Sequence, residues 1–414
     1  MNTEKKVLFK NTFSLYIMNF AKLIFPLFTL PYLTRVLSTE SYGVVTYVKA
    51  FVTYIQLVLD FGFLLSATKE IVLVKNDNNK IGRILGDTIV EKLLLGIIAS
   101  IFYIISIVVV PIMRNHYLFS FLYLISSLLT IFIFDFMYRG IEKMHLVSLP
   151  FTVSKSIVTI LTLCIVKGDN DLLLLPVLEI VGNGVSVLFS LFFVKNLKIN
   201  ISFSKPKKWL TDLKTSGIYF ISNFATTVFG ALTTLIAGFY LSLSDIAAWG
   251  ICMQILSAAK SLYNPIANSL YPHMIKEKDI KLIHRINKFM FIPMFLGIIV
   301  VIFGAESVMN IIGGNKYIIA GNALRALLPA FVFSFYSMIY GWPVLGAIGM
   351  VKETSTTTVI ASIVQILALI LLIILNSFTL LGIAVCCSLS ETALLFIRYF
   401  IYYKHRKLFK IEEV

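Results

Sequence analysis

Runs of predominantly apolar residues, each long enough to cross a lipid bilayer, recur along the whole of this chain. A helix rises about 1.5 Å per residue, so about 20 apolar residues cross a hydrocarbon core about 30 Å thick. Breaking the sequence at charged and turn-forming residues gives twelve such spans, at about 11–34, 42–66, 84–110, 117–138, 146–166, 172–194, 215–241, 246–271, 289–312, 320–345, 355–376 and 379–403. Lipid offers no partner to backbone N–H and C=O groups, so runs of this kind close their own hydrogen bonds as helices. Composition agrees: 58% of residues are hydrophobic and 14% charged, against about 25% charged in a soluble domain. The expected fold is an all-α integral membrane protein with twelve transmembrane helices.

An even number of spans puts both termini on one side. Of the 36 Lys and Arg residues, 25 fall in the tails and loops of that side, four (Arg35, Arg114, Lys167 and Lys316) fall in the opposite loops, and the rest lie within spans. Basic loops stay in the cytoplasm, so both termini are expected there. The net charge of +15 therefore reports topology rather than nucleic-acid binding. No A-x-A-like cleavage site follows the first apolar run, which is read as a retained span.

The longest hydrophilic segment, 195–214, carries six lysines and divides the chain six spans from six. The expected domains are an N-lobe at 1–194, a basic cytoplasmic linker at 195–214, a C-lobe at 215–403 and a cytoplasmic tail at 404–414. The linker lysines could also meet anionic headgroups of membrane lipids. Residues 10–38 laid on 214–242 at a constant offset of 204 match at nine of 29 positions, among them Lys10/Lys214, Asn19/Asn223 and Ser38/Ser242. Six spans return a chain to its starting side, so this duplication reads as a 6+6 parallel pseudo-repeat with the transport path between the lobes.

Polar residues inside hydrocarbon are costly and mark function by default. Lys22 lies about 17 Å into the first helix, too deep to snorkel easily, and shares a face with Asn19, Pro26 and Thr29. The second helix repeats the pattern with Tyr42, Lys49, Thr53, Gln56 and Asp60. Tyr219, Asn223, Thr226, Gly230 and Thr233 form a stripe on the seventh, and Gln254, Ser257, Ser261, Asn264 and Asn268, with Lys260 beside them, form one on the eighth. Any single Asn, Ser or Thr could be interhelical glue; four long stripes favour an aqueous cavity. Lys155 and Arg325 join Lys22, Lys49 and Lys260 as candidate ligands, with Lys92 and Arg398 set toward the cytoplasmic ends. Basic groups outnumber acidic ones within spans, which suits an anionic ligand, because ammonium and guanidinium groups pair with phosphate oxygens.

No GxxxxGK[ST] loop, HExxH pair or nucleophile motif is present, and the four cysteines all fall in apolar runs without CxxC spacing. Neither a cofactor nor a metal site is expected, and the chain reads as a transporter rather than an enzyme. Work against a gradient would then require an ion, H+ or Na+, exchanged at an intramembrane carboxylate. The candidates are Asp60, Glu91, Glu179 and Glu391, with Asp60 first because it shares the stripe of Lys49 and Gln56; Asp135 lies near the cytoplasmic edge.

Several phrases resemble one family. Leu30-Pro31-Tyr32-Leu33, Ser41-Tyr42-Gly43, Asp60-Phe61-Gly62-Phe63 and Ser66-Ala67-Thr68-Lys69-Glu70-Ile71 are similar to the N-terminal half-lobe of the polysaccharide-synthesis proteins, the Wzx-type O-antigen flippases. Gly140-Ile141-Glu142-Lys143-Met144 and Leu270-Tyr271-Pro272 resemble that family's fourth loop and eighth-span end, although Phe136 and Arg139 stand where the family usually has tryptophan and glutamine. The resemblance implies the multidrug/oligosaccharidyl-lipid/polysaccharide exporter superfamily, with two six-helix lobes that alternate access in a bacterial inner membrane. It implies a cargo of undecaprenyl-pyrophosphate-linked glycan, whose headgroup enters the cavity while the tail stays in lipid, and a polysaccharide polymerase and chain-length regulator as candidate partners. On this reading Lys22, Lys49 and Lys260 would meet pyrophosphate or acidic sugars, with Asn19, Gln56, Asn223, Gln254, Asn264 and Asn268 as sugar or structural contacts. The rivals are a drug/cation antiporter of the same superfamily, disfavoured by the basic spans, and a membrane polysaccharide polymerase, disfavoured by the short external loops.

Overall fold

The computed structural model describes residues 3–409, without the side chains of residues 3–9, 218, 222, 226, 228 and 229. Thr226 of the seventh-helix stripe and residues 410–414 of the expected tail thus lie outside what is described. The chain divides into two compact units, Met1–Phe224 and Ala225–Val414.

The first unit contains α1 (Thr3–Val36), α2 (Thr39–Asp60), α3 (Phe63–Leu73), α4 (Asn78–Val109), α5 (Pro111–Asn115), α6 (Tyr117–Leu129), α7 (Asp135–Gly140), α8 (His145–Ile165), α9 (Leu174–Asn196) and most of α10 (Pro206–Thr227). The expected second span is two helices. Phe61 and Gly62 both take left-handed backbone conformations between α2 and α3. A Cβ on Gly62 would lie 2.6 Å from Tyr219 Cβ and 2.7 Å from the Ser216 carbonyl oxygen, so α10 passes too close for any other residue. α1 packs on α8, α8 on α9, α9 on α6 and α6 on α2, with α2 touching α1 again, so that five helices form a ring. α4 backs α2 and α6 from outside it.

The second unit continues with α11 (Thr233–Tyr240), α12 (Leu243–Glu277), α13 (Ile280–Gly313), α14 (Gly321–Ala326), α15 (Leu328–Ile339), α16 (Val351–Ile374) and α17 (Leu380–His405). α15 and α16 both pack on α17. Met274, Ile283, Phe335, Ile339 and Val344 form part of its apolar core. The expected tenth span breaks at Gly341, whose ψ of −111° is not helical, just ahead of Pro343.

Ten helices among the described residues are long and apolar enough to cross a membrane, eleven if Pro206–Ala225 and Gly230–Tyr240 make one broken span. The 35-residue α12 is not among them; Gln254, Lys260, Asn264 and Asn268 dilute its hydrophobicity. The architecture is that of an all-helical, multi-pass membrane protein.

Candidate functional site

The five-helix ring of the first unit encloses a cavity of about 560 Å³. α1 contributes Lys22; α2 contributes Lys49, Thr53, Gln56 and Asp60; α6 contributes Tyr123 and Ser126; α8 contributes Phe151, Ser154 and Lys155; α9 contributes Glu179, Asn183, Ser186 and Ser190. Lys92 reaches in from α4, and Asp135, Phe136 and Arg139 from α7. Five basic and three acidic side chains line it, leaving two positive charges uncompensated.

The carboxylates are already engaged or outnumbered. Lys155 Nζ donates to Glu179 at 2.7 Å, and Lys92 Nζ lies 3.5 Å from Asp60. The buried Lys92 also sits 5.8 Å from the centre of the Phe136 ring. Lys22 and Lys49 differ: among the described residues neither has a carboxylate within salt-bridge reach. Each ammonium rests instead on a ring, Lys22 at 5.4 Å from the centre of Phe151 and Lys49 at 5.9 Å from that of Tyr123. A ring face contributes about 0.5–2 kcal/mol to a cation and leaves its N–H donors free. Two ammonium groups with unspent donors facing one cavity have the chemistry to hold an anion.

One wall is a polar ladder that the sequence reading did not single out. Glu179, Asn183, Ser186 and Ser190 follow at spacings of four, three and four along α9, which keeps them on one helical face. Asn183 Nδ2 donates to the Ser126 carbonyl and hydroxyl oxygens, both at 3.0 Å, and Ser186 Oγ donates to Ser154 Oγ at 2.9 Å. Ser190 Oγ accepts from the Phe134 amide at 3.1 Å, and its carbonyl accepts from the Tyr138 hydroxyl at 2.6 Å. These groups are interhelical fasteners first, and the same bonds turn their polar atoms toward the cavity. The periodic spacing with Glu179 was the signal available.

The expected site residues separate by place. Lys22, Lys49, Gln56, Lys155, Asp60 and Glu179 all line the cavity, as do Asp135, Arg139 and Lys92. Asn19 and Asn223 are exposed and do not line it. Glu91, 2% exposed, is also outside it. In the second unit Lys260 Nζ donates to Glu391, which is 4% exposed. Gln254 is half-buried, and Asn264 and Asn268 are exposed. Arg325 bonds Glu306 at 3.2 Å, Asn322 at 2.8 Å and the Ile302 carbonyl at 3.0 Å. Arg398 and Glu391 are not paired with each other: the guanidinium donates to Thr357, Thr358 and backbone carbonyls.

Comparison with known proteins fits this architecture. A Shigella dysenteriae protein named "Putative O-antigen transporter" is 26% identical over 86% of this chain and 91% of its own length. A second protein of that name, from Escherichia coli strain K12, is 24% identical over 96% and 98%. Among solved structures, an inward-facing multidrug resistance MATE family transporter of the MOP superfamily superposes with a TM-score of 0.72 at 14% identity, covering 96% of this chain and 99% of that one. Lipid II flippase MurJ in an inward closed conformation superposes at 0.66 with 16% identity, covering 95% and 87%. These two share the fold, and the sequence relatives carry the names of transporters, not of enzymes. The polysaccharide biosynthesis protein family model matches residues 8–278, well over half of the chain, and the chain belongs to that family.

Proposed function

We propose that this protein is a flippase for a lipid-linked oligosaccharide, an O-antigen or related repeat unit on undecaprenyl pyrophosphate. It would carry the unit from the cytoplasmic to the periplasmic leaflet of a bacterial inner membrane. The observation that carries the reading is the pair Lys22 and Lys49, two ammonium groups without carboxylate partners among the described residues, in a cavity whose other lysines are paired. A pyrophosphate supplies the anion those groups lack, and Gln56, Asn183 and the aromatic rings suit sugar hydroxyls and ring faces. The names of the two sequence relatives support the same cargo class.

On this reading α12 is a twelfth span, tolerated in lipid because its polar face turns from the acyl chains, and both termini are cytoplasmic. Transport proceeds by alternating access of two lobes, 1–194 and 215–403, joined by the linker at 195–214, and is coupled to H+ or Na+. A cationic drug would meet net repulsion in the cavity, which weighs against an antiporter of such compounds despite the shared fold.

The test is made in cells lacking the gene: lipid-linked glycans are extracted, their leaflet is assayed, and surface glycan is measured. Single repeat units held on the cytoplasmic leaflet, with surface polymer lost, are expected. Single units that reach the periplasmic leaflet and stay unpolymerised would overturn the reading in favour of a polymerase.

A further inference from the structure

A second buried polar site lies in the first unit, away from the cavity. The segment after α9 runs back along α4 in a groove floored by glycines. A Cβ on Gly82 would lie 1.9 Å from the Asn200 carbonyl oxygen, and one on Gly86 would lie 2.2 Å from that of Ser202. The Ser202 amide donates to the Gly82 carbonyl at 3.2 Å. One residue beyond Gly86, the buried Asp87 accepts from the Ser204 amide at 2.7 Å and from Trp209 Nε1 at 2.9 Å, with Lys208 Nζ at 3.4 Å. α10 is then held along α3: Lys208 lies 3.9 Å from Glu70, and Ser66 and Ser216 share a hydrogen bond at 2.7 Å. The basic segment is clasped to the first unit.

Glu91 lies one turn past Asp87 on the same face of α4. It is 2% exposed, and its Oε1 has no hydrogen-bond partner among the described residues. The charged groups that act on it are Asp212 and Lys208 of α10, Asp87 of its own helix and Glu70 of α3; the adjacent Lys92 turns away to Asp60. Four carboxylates thus share one lysine, and that lysine already contacts Glu70, Asp87 and Asp212. Glu70 and Asp212 are partly exposed and can stay charged, whereas Asp87 and Glu91 are buried one turn apart, and two like charges in a medium of low polarity raise each other's energy steeply. Of the four intramembrane carboxylates expected to exchange an ion, Asp60, Glu179 and Glu391 each have a lysine within salt-bridge reach; among the described residues Glu91 has none.

We infer that Glu91 is a proton-binding site whose occupancy is linked to the docking of residues 199–212 against α3 and α4. With the proton on Glu91, the cluster keeps three carboxylates around Lys208 and the clasp closes. When the segment lifts away, water reaches Glu91, the proton leaves to solvent, and the carboxylate so formed opposes redocking beside Asp87 and Asp212. By linkage the docked form binds one proton more than the released form, so raising the pH favours release. The inference goes beyond the transport reading, and its test involves no cargo.

Trp209 is the reporter, since its indole N–H is bonded to Asp87 only while the clasp is closed. Emission of the purified full-length protein, minus that of its Trp209→Phe variant, is followed as the pH is raised reversibly from 5 to 9. A shift of this difference emission to longer wavelength is expected, and Glu91→Gln, which mimics the protonated side chain, should abolish it. A flat response in the unsubstituted protein overturns the inference without need of the Glu91 variant. So does a Glu91→Gln variant that titrates like the parent, which would place the titrating group elsewhere in the cluster.

Discussion

Arg398 Nη1 donates to the Ser337 carbonyl oxygen at 2.7 Å, at the place where the helix bearing Ser337 loses its regular path. Gly341 lies four residues on, and a Cβ there would be 2.8 Å from the same nitrogen. The guanidinium also donates to Thr357 Oγ1 at 3.1 Å and Thr358 Oγ1 at 2.9 Å, so one side chain ties α17 to α16 and to the break after α15. Its charge has no carboxylate within salt-bridge reach among the described residues, and hydrogen bonds alone hold it.

Arg398→Met should therefore destabilise the protein by about 2–4 kcal/mol, because it takes a donor from the Ser337 and Thr354 carbonyls and from the Thr357 and Thr358 hydroxyl oxygens in a buried place. Arg398→Lys should recover little, since an ammonium lacks the fork that spans three elements. Thermal unfolding in detergent, followed by the loss of monodisperse protein, is the measurement. A melting temperature equal to the parent's would show that the break is held by its own backbone.

Lys22→Ala and Lys49→Ala should each lower export of surface glycan without lowering protein abundance. A charge-assisted hydrogen bond contributes about 1.5–3 kcal/mol, which corresponds to about 10- to 100-fold in binding. Among the described residues neither lysine is engaged by a carboxylate, so folding loses little more than one cation–π contact. Normal export from the Lys22→Ala protein would remove that residue from the mechanism.

The Lys260–Glu391 pair offers a test of structure against transport. Lys260→Met alone leaves Glu391 charged and almost fully buried, which typically costs about 3–5 kcal/mol. The double variant Lys260→Met/Glu391→Leu removes both charges and should restore much of the abundance. If abundance returns and glycan export does not, the pair takes part in transport; if both return, its role is packing.

Gly86→Ala should loosen the clasp directly, since its methyl group would meet the Ser202 carbonyl oxygen at 2.2 Å. Faster amide hydrogen exchange across 199–209 is expected, with α6 and α9 unchanged. Unaltered exchange there would mean that the groove accommodates a side chain.

Asp77 caps α4 from outside the span, accepting from the Lys80 and Asn79 amides at 3.1 Å each. The bond from the Lys80 amide, aided by the nearby Lys80 ammonium and the Asn79 amide, holds its carboxyl below the usual range despite some desolvation. A lowered carboxylate stabilises the fold above its unfolded value of about 3.9 and loses that contribution as the pH falls through the folded value. Exchange at the first turn of α4 should therefore quicken, relative to the intrinsic rate, as the pH drops below about 4. Asp77→Asn should be insensitive over the same interval.

Much of the architecture was legible in the sequence because it follows from local solvation. Long apolar runs must be helical in lipid whatever packs beside them, and most of the expected spans coincide with helices. Lys22, Lys49, Gln56, Asp60, Lys155 and Glu179 could be proposed because polar residues in hydrocarbon need a reason, and all six line one cavity. The breaks were harder to see. Phe61-Gly62 and Gly341 stand inside runs that read as single spans, and the neighbours that crowd each glycine, α10 in one case and Arg398 in the other, come from far along the chain.

Which polar group meets which was decided by the tertiary structure alone. Lys260 finds Glu391 131 residues away, Lys155 finds Glu179, and Lys92, set toward the cytoplasmic end of its span, closes on Asp60 at the cavity wall. Lys22 and Lys49 are left over only after those pairings are made, and the same holds for Glu91 once Lys208 is shared. The sequence by itself determined a helical membrane protein of this family with basic groups in its spans, because hydrophobicity and charge are properties of each residue and its near neighbours. Only the tertiary structure decided which charges are spent and which remain, because compensation acts over a few ångströms between helices far apart in the chain.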